Sequence, residues 1–170
     1  MELKLDDATR ASLLGLMPMT QTGTVEFTPP IFAGLPDAVR PVFIQRALTR
    51  SEKSQVMLEE DTVNKDAAAF SKDGKINLTD ENRGAWFDFV REKNAARVEW
   101  ARKTVTGWKS VVSPTGNVVD FKAAEDKGAD PDLFDGFLVE AQLEIYNNAK
   151  KVSSLLSQER LGLKSLPESK

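Results

Sequence analysis

The stretch TDENRGAWFDFVREKNAARVEWARKTVTGWKSVVSPTGNVVDF, residues 79–121, decides how this chain is read. Trp86, Phe89, Val90, Val98, Trp100, Ala101, Val105 and Trp108 recur in it at several three- or four-residue steps, which puts much of the set on one helical stripe. Thr79 or Asn77 caps the predicted helix, and Asp80 and Glu81 place negative charge in its first turn, where the helix dipole favours it. Gly107 is expected to close it, because glycine reaches the left-handed conformation that ends many helices, with Lys103 in the last turn. Two short apolar runs, 108–112 and 118–121, then flank Ser113-Pro114-Thr115-Gly116-Asn117, which has the chemistry of a tight turn. The pattern predicts helix, turn, hairpin, with Trp108 covering the junction.

Downstream, Asp130-Pro131-Asp132 is a strong helix start, a capping aspartate followed by proline at the first helical position. Phe134, Leu138, Ala141, Ile145, Val152 and Leu156 follow at helical spacing, beside Phe137 and Ala149. The expected fold is therefore α+β and predominantly helical: two long helices, about 79–106 and 131–155, flank a β-hairpin at 108–121, with an extended proline-rich N-terminal arm. Residues 122–129 read as a polar loop, residues 157–160 as one further turn, and the end of the chain as a tail. The corresponding division is an arm at 1–36, a globular domain at 37–163 and a tail at 164–170.

A short helix capped by Asp6 or Asp7 is expected within residues 3–16. Residues 17–36 hold Pro18, Gly23, Pro29, Pro30, Gly34 and Pro36, too many breakers for a regular helix, so the segment reads as extended. Phe27, Ile31 and Phe32 make it sticky around the Pro29-Pro30 pair. Such an arm either lies across its own core or docks on another chain, as an extended peptide docks on an edge or groove. On the second reading Phe27, Pro29, Pro30, Ile31 and Phe32 are the partner-binding residues. After a turn at Pro36 the pattern allows a short strand or helix ending near Leu48, and Ser51 caps a further helix only weakly, since Ser54 stands where a capping box needs Glu or Gln.

With 170 residues and 41% hydrophobic content the chain can bury one core of ordinary size. A formal net charge of −3 leaves no electrostatic pull toward phosphates or anionic lipids, so neither nucleic acid nor a membrane is the expected partner. No apolar run approaches the ~20 residues a membrane helix needs, and the N-terminus lacks a basic start before an apolar core, so the chain reads as unexported. Cysteine and histidine are both absent, which removes disulfides, thiol nucleophiles, imidazole bases and the usual zinc sets. No cofactor is expected, for Gly107, Gly116, Gly128 and Gly136 have the spacing of neither nucleotide fingerprint.

Three weaker signals resolve toward bland readings. Glu59-Glu60-Asp61 reads as a solvated acidic loop rather than a cation site. Ser71-Lys72-Asp73-Gly74-Lys75-Ile76 suggests the middle of a calcium loop, but the register puts Ala69 at the first ligand and Asp80 where a bidentate glutamate belongs, so Asp73-Gly74 reads as a turn between Phe70 and Ile76. The three tryptophans read as core, because the face they share carries Asp88, Glu92 and Glu99 besides its arginines and makes no basic groove.

The order Arg102-Lys103-Thr104-Val105-Thr106-Gly107-Trp108-Lys109-Ser110-Val111-Val112, then Thr115-Gly116-Asn117-Val118-Val119-Asp120-Phe121, resembles small bacteriophage tail-module proteins, especially tail assembly chaperones and related accessory proteins. Leu143-Glu144-Ile145-Tyr146-Asn147-Asn148 and Leu155-Leu156-Ser157-Gln158-Glu159-Arg160 are similar to the helix and ending seen there, so the resemblance spans roughly residues 86–163. It implies a non-enzymatic protein of the host cytoplasm, or of the virion, that binds other phage tail or neck proteins, chiefly a tape-measure or tail-tube subunit, or a second copy of itself. Within the same setting stands a structural subunit of the neck or tail, a connector or completion protein locked to its neighbours by the arm. A third alternative, from a different class, is an enzyme using carboxylates such as Asp88 and Glu92, which spacing puts on one helical turn.

Overall fold

The computed structural model describes residues 23–160, with the backbone alone for 155–160. The helix expected near residues 3–16 and the C-terminal tail lie outside the described residues. In chain order the elements are strand β1 (Thr24–Phe27), two single 3-10 turns (Pro30–Phe32 and Asp37–Val39), β2 (Val42–Arg46), helix α1 (Arg50–Ala68), β3 (Ser71–Lys72), β4 (Lys75–Ile76), α2 (Arg83–Thr104), β5 (Val105–Lys109), α3 (Pro131–Phe134) and α4 (Val139–Arg160).

This corrects the expected fold. In place of two long helices flanking one hairpin, the described residues form four helices and two small open sheets, one of three strands in the order β1-β2-β5 and one of two, β3-β4. The error lies in the bounds and partner of the strand expected at 108–112, which is instead formed by residues 105–109. They pair antiparallel with β2, Phe43 opposite Trp108 and Ile44 opposite Gly107, not with 118–121. Of the expected 108–121 hairpin there remain a turn, with Ser113 N–H donating to the Asn117 carbonyl, and a single bridge, Val112 to Val118. β2 wins because it brings Phe43 and Gln45, both 0% exposed, onto the core face, whereas Val118 is 73% exposed. A strand pairs where burial rewards it.

Gly107 does not close a helix either. α2 ends at Thr104, three residues earlier, and the backbone turns extended at Val105 (φ −79°, ψ 118°) and enters β5 with no loop between. The register slips between Ile44 and Gln45, and Thr106 is the extra residue, its hydroxyl donating to the Ile44 carbonyl at 3.2 Å. Gly107 sits inside the strand because Ile44 presses on it: a Cβ there would lie 3.1 Å from Ile44 Cδ1. At its other end α2 begins at Arg83, after a turn in which the Asn82 side chain accepts from Thr79 N–H.

The second predicted helix is also divided. Asp130 caps α3 as expected, its carboxylate accepting from Leu133 N–H with Pro131 at the first position. The turn then tightens at Gly136, whose N–H donates to the Leu133 carbonyl, and the chain restarts as α4. Gln142 Nε2 reaches back 2.8 Å to the Phe134 carbonyl, which also accepts from Phe137 N–H, and so ties α4 to α3 across the break.

The core gathers Phe43, Leu48, Val56, Trp100, Ala101, Val105, Trp108, Phe134, Ile145 and Tyr146 between the three-stranded sheet, the C-terminal half of α2 and α4. Trp108 meets Phe43, Phe121 and Phe137 edge-on, with centroids at 6.4, 4.9 and 5.5 Å, and its Nε1–H donates to the Val119 carbonyl. Polar side chains are buried with it, and two of them, Gln45 and Arg102, are fully partnered. Gln45 donates to Thr104 Oγ1 and the Ile145 carbonyl and accepts from Asn148, tying β2 to both α2 and α4. Arg102 is bonded by Glu99, Asp126 and the Ala129 carbonyl, which binds the 122–130 loop against the end of α2. There Gly128 is obligatory, since a Cβ would stand 2.8 Å from Lys103 Cα.

Candidate functional site

α1 is the element that shapes the clefts of this molecule. Thr49 and Glu52 form a capping box: the Thr49 hydroxyl accepts from Glu52 N–H, and Glu52 accepts from Thr49 N–H at 2.7 Å. Glu52 is also held by Arg46 through two bonds of 2.7 Å. Burial pushes the Glu52 carboxyl up, but the bonds from Arg46 and Thr49 outweigh it and hold its pKa at about 2.

From that anchor Val56, Glu59, Glu60 and Val63 follow at helical spacing, so one face of α1 presents acids and valines inward. Val56 is the buried residue of the helix. The remaining support is polar. Glu59 accepts from Trp100 Nε1 at 2.7 Å, and Glu60 accepts from Tyr146 Oη at 2.9 Å and from Lys150 Nζ at 2.6 Å. Burial raises the Glu60 carboxyl, yet the Lys150 and Tyr146 bonds prevail and leave it below its usual range. Burial, reinforced by Glu60 as acceptor, pushes the Tyr146 phenol far up, so it stays a neutral donor. Glu59-Glu60-Asp61, expected as a solvated loop, is therefore a helical latch, with only Asp61 turned to solvent.

Helices carried on polar posts leave space between them. A cleft of about 250 Å³ opens between α1, α2 and α4, walled by Leu58, Val63, Ala96, Trp100 and Tyr146 and carrying Glu59, Glu60, Lys93 and Arg97. A second, of about 360 Å³, lies between α1 and α4, between Leu48, Val56, Met57 and Ser153. Apolar walls with a few convergent polar groups are the ordinary form of a binding site.

The structure divides the five arm residues. Phe27 and Phe32 pack on the chain's own core, Pro29 is fully buried, and Pro30 and Ile31 face solvent, Ile31 at 44% exposure. β1 pairs with β2 along Thr24–Phe27, and Ile31 N–H meets Glu144 at 3.4 Å. Gly107 and Trp108 stand together in β5, against Ile44 and the aromatic cluster respectively. Asp88 and Glu92 lie on the outer face of α2, Asp88 paired with Arg91, and neither lines a cleft. Among the described residues no group of three or more acidic side chains is arranged to hold a metal ion, and no helix is long and apolar enough to cross a membrane.

Sequence reasoning missed the latch. Its local half is legible two residues before Ser51, in Thr49-Arg50-Ser51-Glu52. Its long-range half is not, since Trp100 and Tyr146 lie 41 and 86 residues from their acceptors. No protein-family model, curated protein or solved structure matches this chain.

Proposed function

We propose that this chain is a non-enzymatic binding protein of bacteriophage morphogenesis, one that holds a tail or neck protein in the host cytoplasm during virion assembly in the manner of a tail assembly chaperone. The observation that carries the reading is the apolar surface of α1: Met57 and Leu58 are 62% and 67% exposed, adjacent in sequence and each at the wall of a cleft. Large apolar side chains at a concave, part-polar surface favour a protein partner. The Gly107-Trp108-Lys109 step and the turn that follows add the sequence resemblance to that surface.

A second reading, a structural subunit retained in the neck or tail, is favoured by a different feature. β1 is an edge of the sheet on which a neighbouring subunit can add a strand, and Val25 in it, with Ile31, Leu35 and Val39 in the segment that follows, is 36–44% exposed. Co-purification of the tagged full-length chain from phage-infected cells, with mass spectrometry of mature particles, separates the two. A tail or neck protein recovered with a chain that is missing from the particle supports the chaperone. Presence in the particle supports the subunit, and recovery of no phage protein by either route overturns both.

A further inference from the structure

The cleft between α1, α2 and α4 holds one charged side chain that no described residue binds. Glu59 is taken by Trp100, and Glu60 by Lys150 and Tyr146. Lys93 has ion pairs to Glu92 at 3.5 Å and Asp66 at 3.9 Å. Arg97, half-buried in the same wall, makes no hydrogen bond or ion pair with any described residue, although it lies near enough to help lower the Glu60 carboxyl. Among described partners, the charged group of this cleft left without a hydrogen bond is thus a cation. A guanidinium is weakly hydrated for a cation, and its planar fork matches a carboxylate through two parallel bonds. Beside it Trp100, Tyr146, Leu58 and Val63 offer the walls that a large apolar side chain fills.

We propose that this cleft receives a segment of a partner protein in which an Asp or Glu carboxylate bonds to Arg97 and a neighbouring large apolar side chain packs between Trp100 and Leu58. The inference rests on the protein-binding reading above and names its contact. Charge complementarity selects the occupant: a basic or purely apolar segment leaves Arg97 unanswered.

Two measurements test it on the full-length chain. The blocked peptide acetyl-Ala-Glu-Leu-Phe-Ala-amide and its Gln counterpart are titrated while the Trp100 indole N–H is followed by NMR. The Glu peptide is expected to shift that signal and to bind about tenfold tighter than the Gln peptide, a margin that Arg97→Gln removes and Arg97→Lys partly restores. Equal binding of the two peptides, no binding of either, or an unchanged margin in Arg97→Gln overturns the proposal. Saturation by 3-phenylpropionate as tight as by the Glu peptide also overturns it, in favour of a free small acid. In parallel, a photocrosslinker in place of Leu58 is expected to mark an acidic, apolar stretch of the co-purifying phage protein. A partner still recovered in full by Arg97→Glu, or crosslinked at a stretch without a carboxylate, sinks the cleft and leaves the protein-binding reading standing. Failure to recover any phage partner with the wild-type chain is the failure of that reading instead.

Discussion

The two ends of α2 carry similar aromatic side chains and are built in opposite ways. At the C-terminal end Trp100, Ala101, Arg102 and Thr104 are buried, and β2, α4 and the 122–130 loop all return to cover them. At the N-terminal end Trp86 and Phe89 stay half-exposed and meet Phe70, with centroids at 5.3 and 5.6 Å, beside the short β3-β4 hairpin. The first end is covered by chain from far away in sequence, the second by the segment just before it. An aromatic stripe on a helix therefore fixes which face is sticky, while distant segments decide how deeply each part of it is buried.

That contrast can be broken most directly at Trp108. Trp108→Ala opens a cavity among Phe43, Phe121 and Phe137 and strands the Val119 carbonyl, so a loss of about 3–5 kcal/mol is expected from urea unfolding. A melting curve matching wild type would show that the buried end does not carry the fold.

Gly128→Ala probes the same end through the backbone. The added methyl meets Lys103 Cα and the Arg102 carbonyl, neither of which can swing aside, and about 1–3 kcal/mol should be lost. A neutral result would mean that the 122–130 loop is not seated on α2.

Trp86→Ala sharpens the comparison from the other side. Its ring is half-covered, so about 1–2 kcal/mol is expected, with faster amide exchange confined to residues 70–90. Global loss as large as that of Trp108→Ala would make the two ends equivalent.

The remaining effect is one of pH. Glu52 has a folded pKa of about 2 against an ordinary 4.5, so below 4.5 the unfolded chain takes up the proton first. Its contribution to stability is complete above pH 4.5 and disappears as pH falls toward 2. Glu52→Gln should flatten the acid limb of a stability-against-pH profile over that window, and an unchanged limb would remove Glu52 as an anchor of α1.

What the sequence reveals follows the range of the interaction. The Asp130-Pro131 helix start is local chemistry and is present as read, as is the Asp73-Gly74 turn, where both residues have positive φ (53° and 74°) between β3 and β4. The break between α3 and α4 is hidden because Phe134, Leu138 and Ala141 keep helical spacing straight through it, and periodicity reports faces rather than continuity. The β2 to β5 pairing is hidden for another reason: a local turn at 113–117 offered an adjacent partner, and nothing in the apolar runs ranks it below Phe43 and Gln45. The cleft is the least legible part, since Arg97 on a helix surface looks the same in sequence whether answered or not.

The strand order β1-β2-β5 also has a consequence for synthesis. β2 is the central strand, and the Ile44 carbonyl that Thr106 bonds lies 62 residues before it. β1 and β2 can pair as soon as they leave the ribosome, but the other edge of β2 stays open until residues 105–109 have been translated, and α4 is made later still. Until then Phe43 and one backbone edge of β2 lack their native partners, and an unpaired edge beside an apolar side chain is the condition under which nascent chains associate.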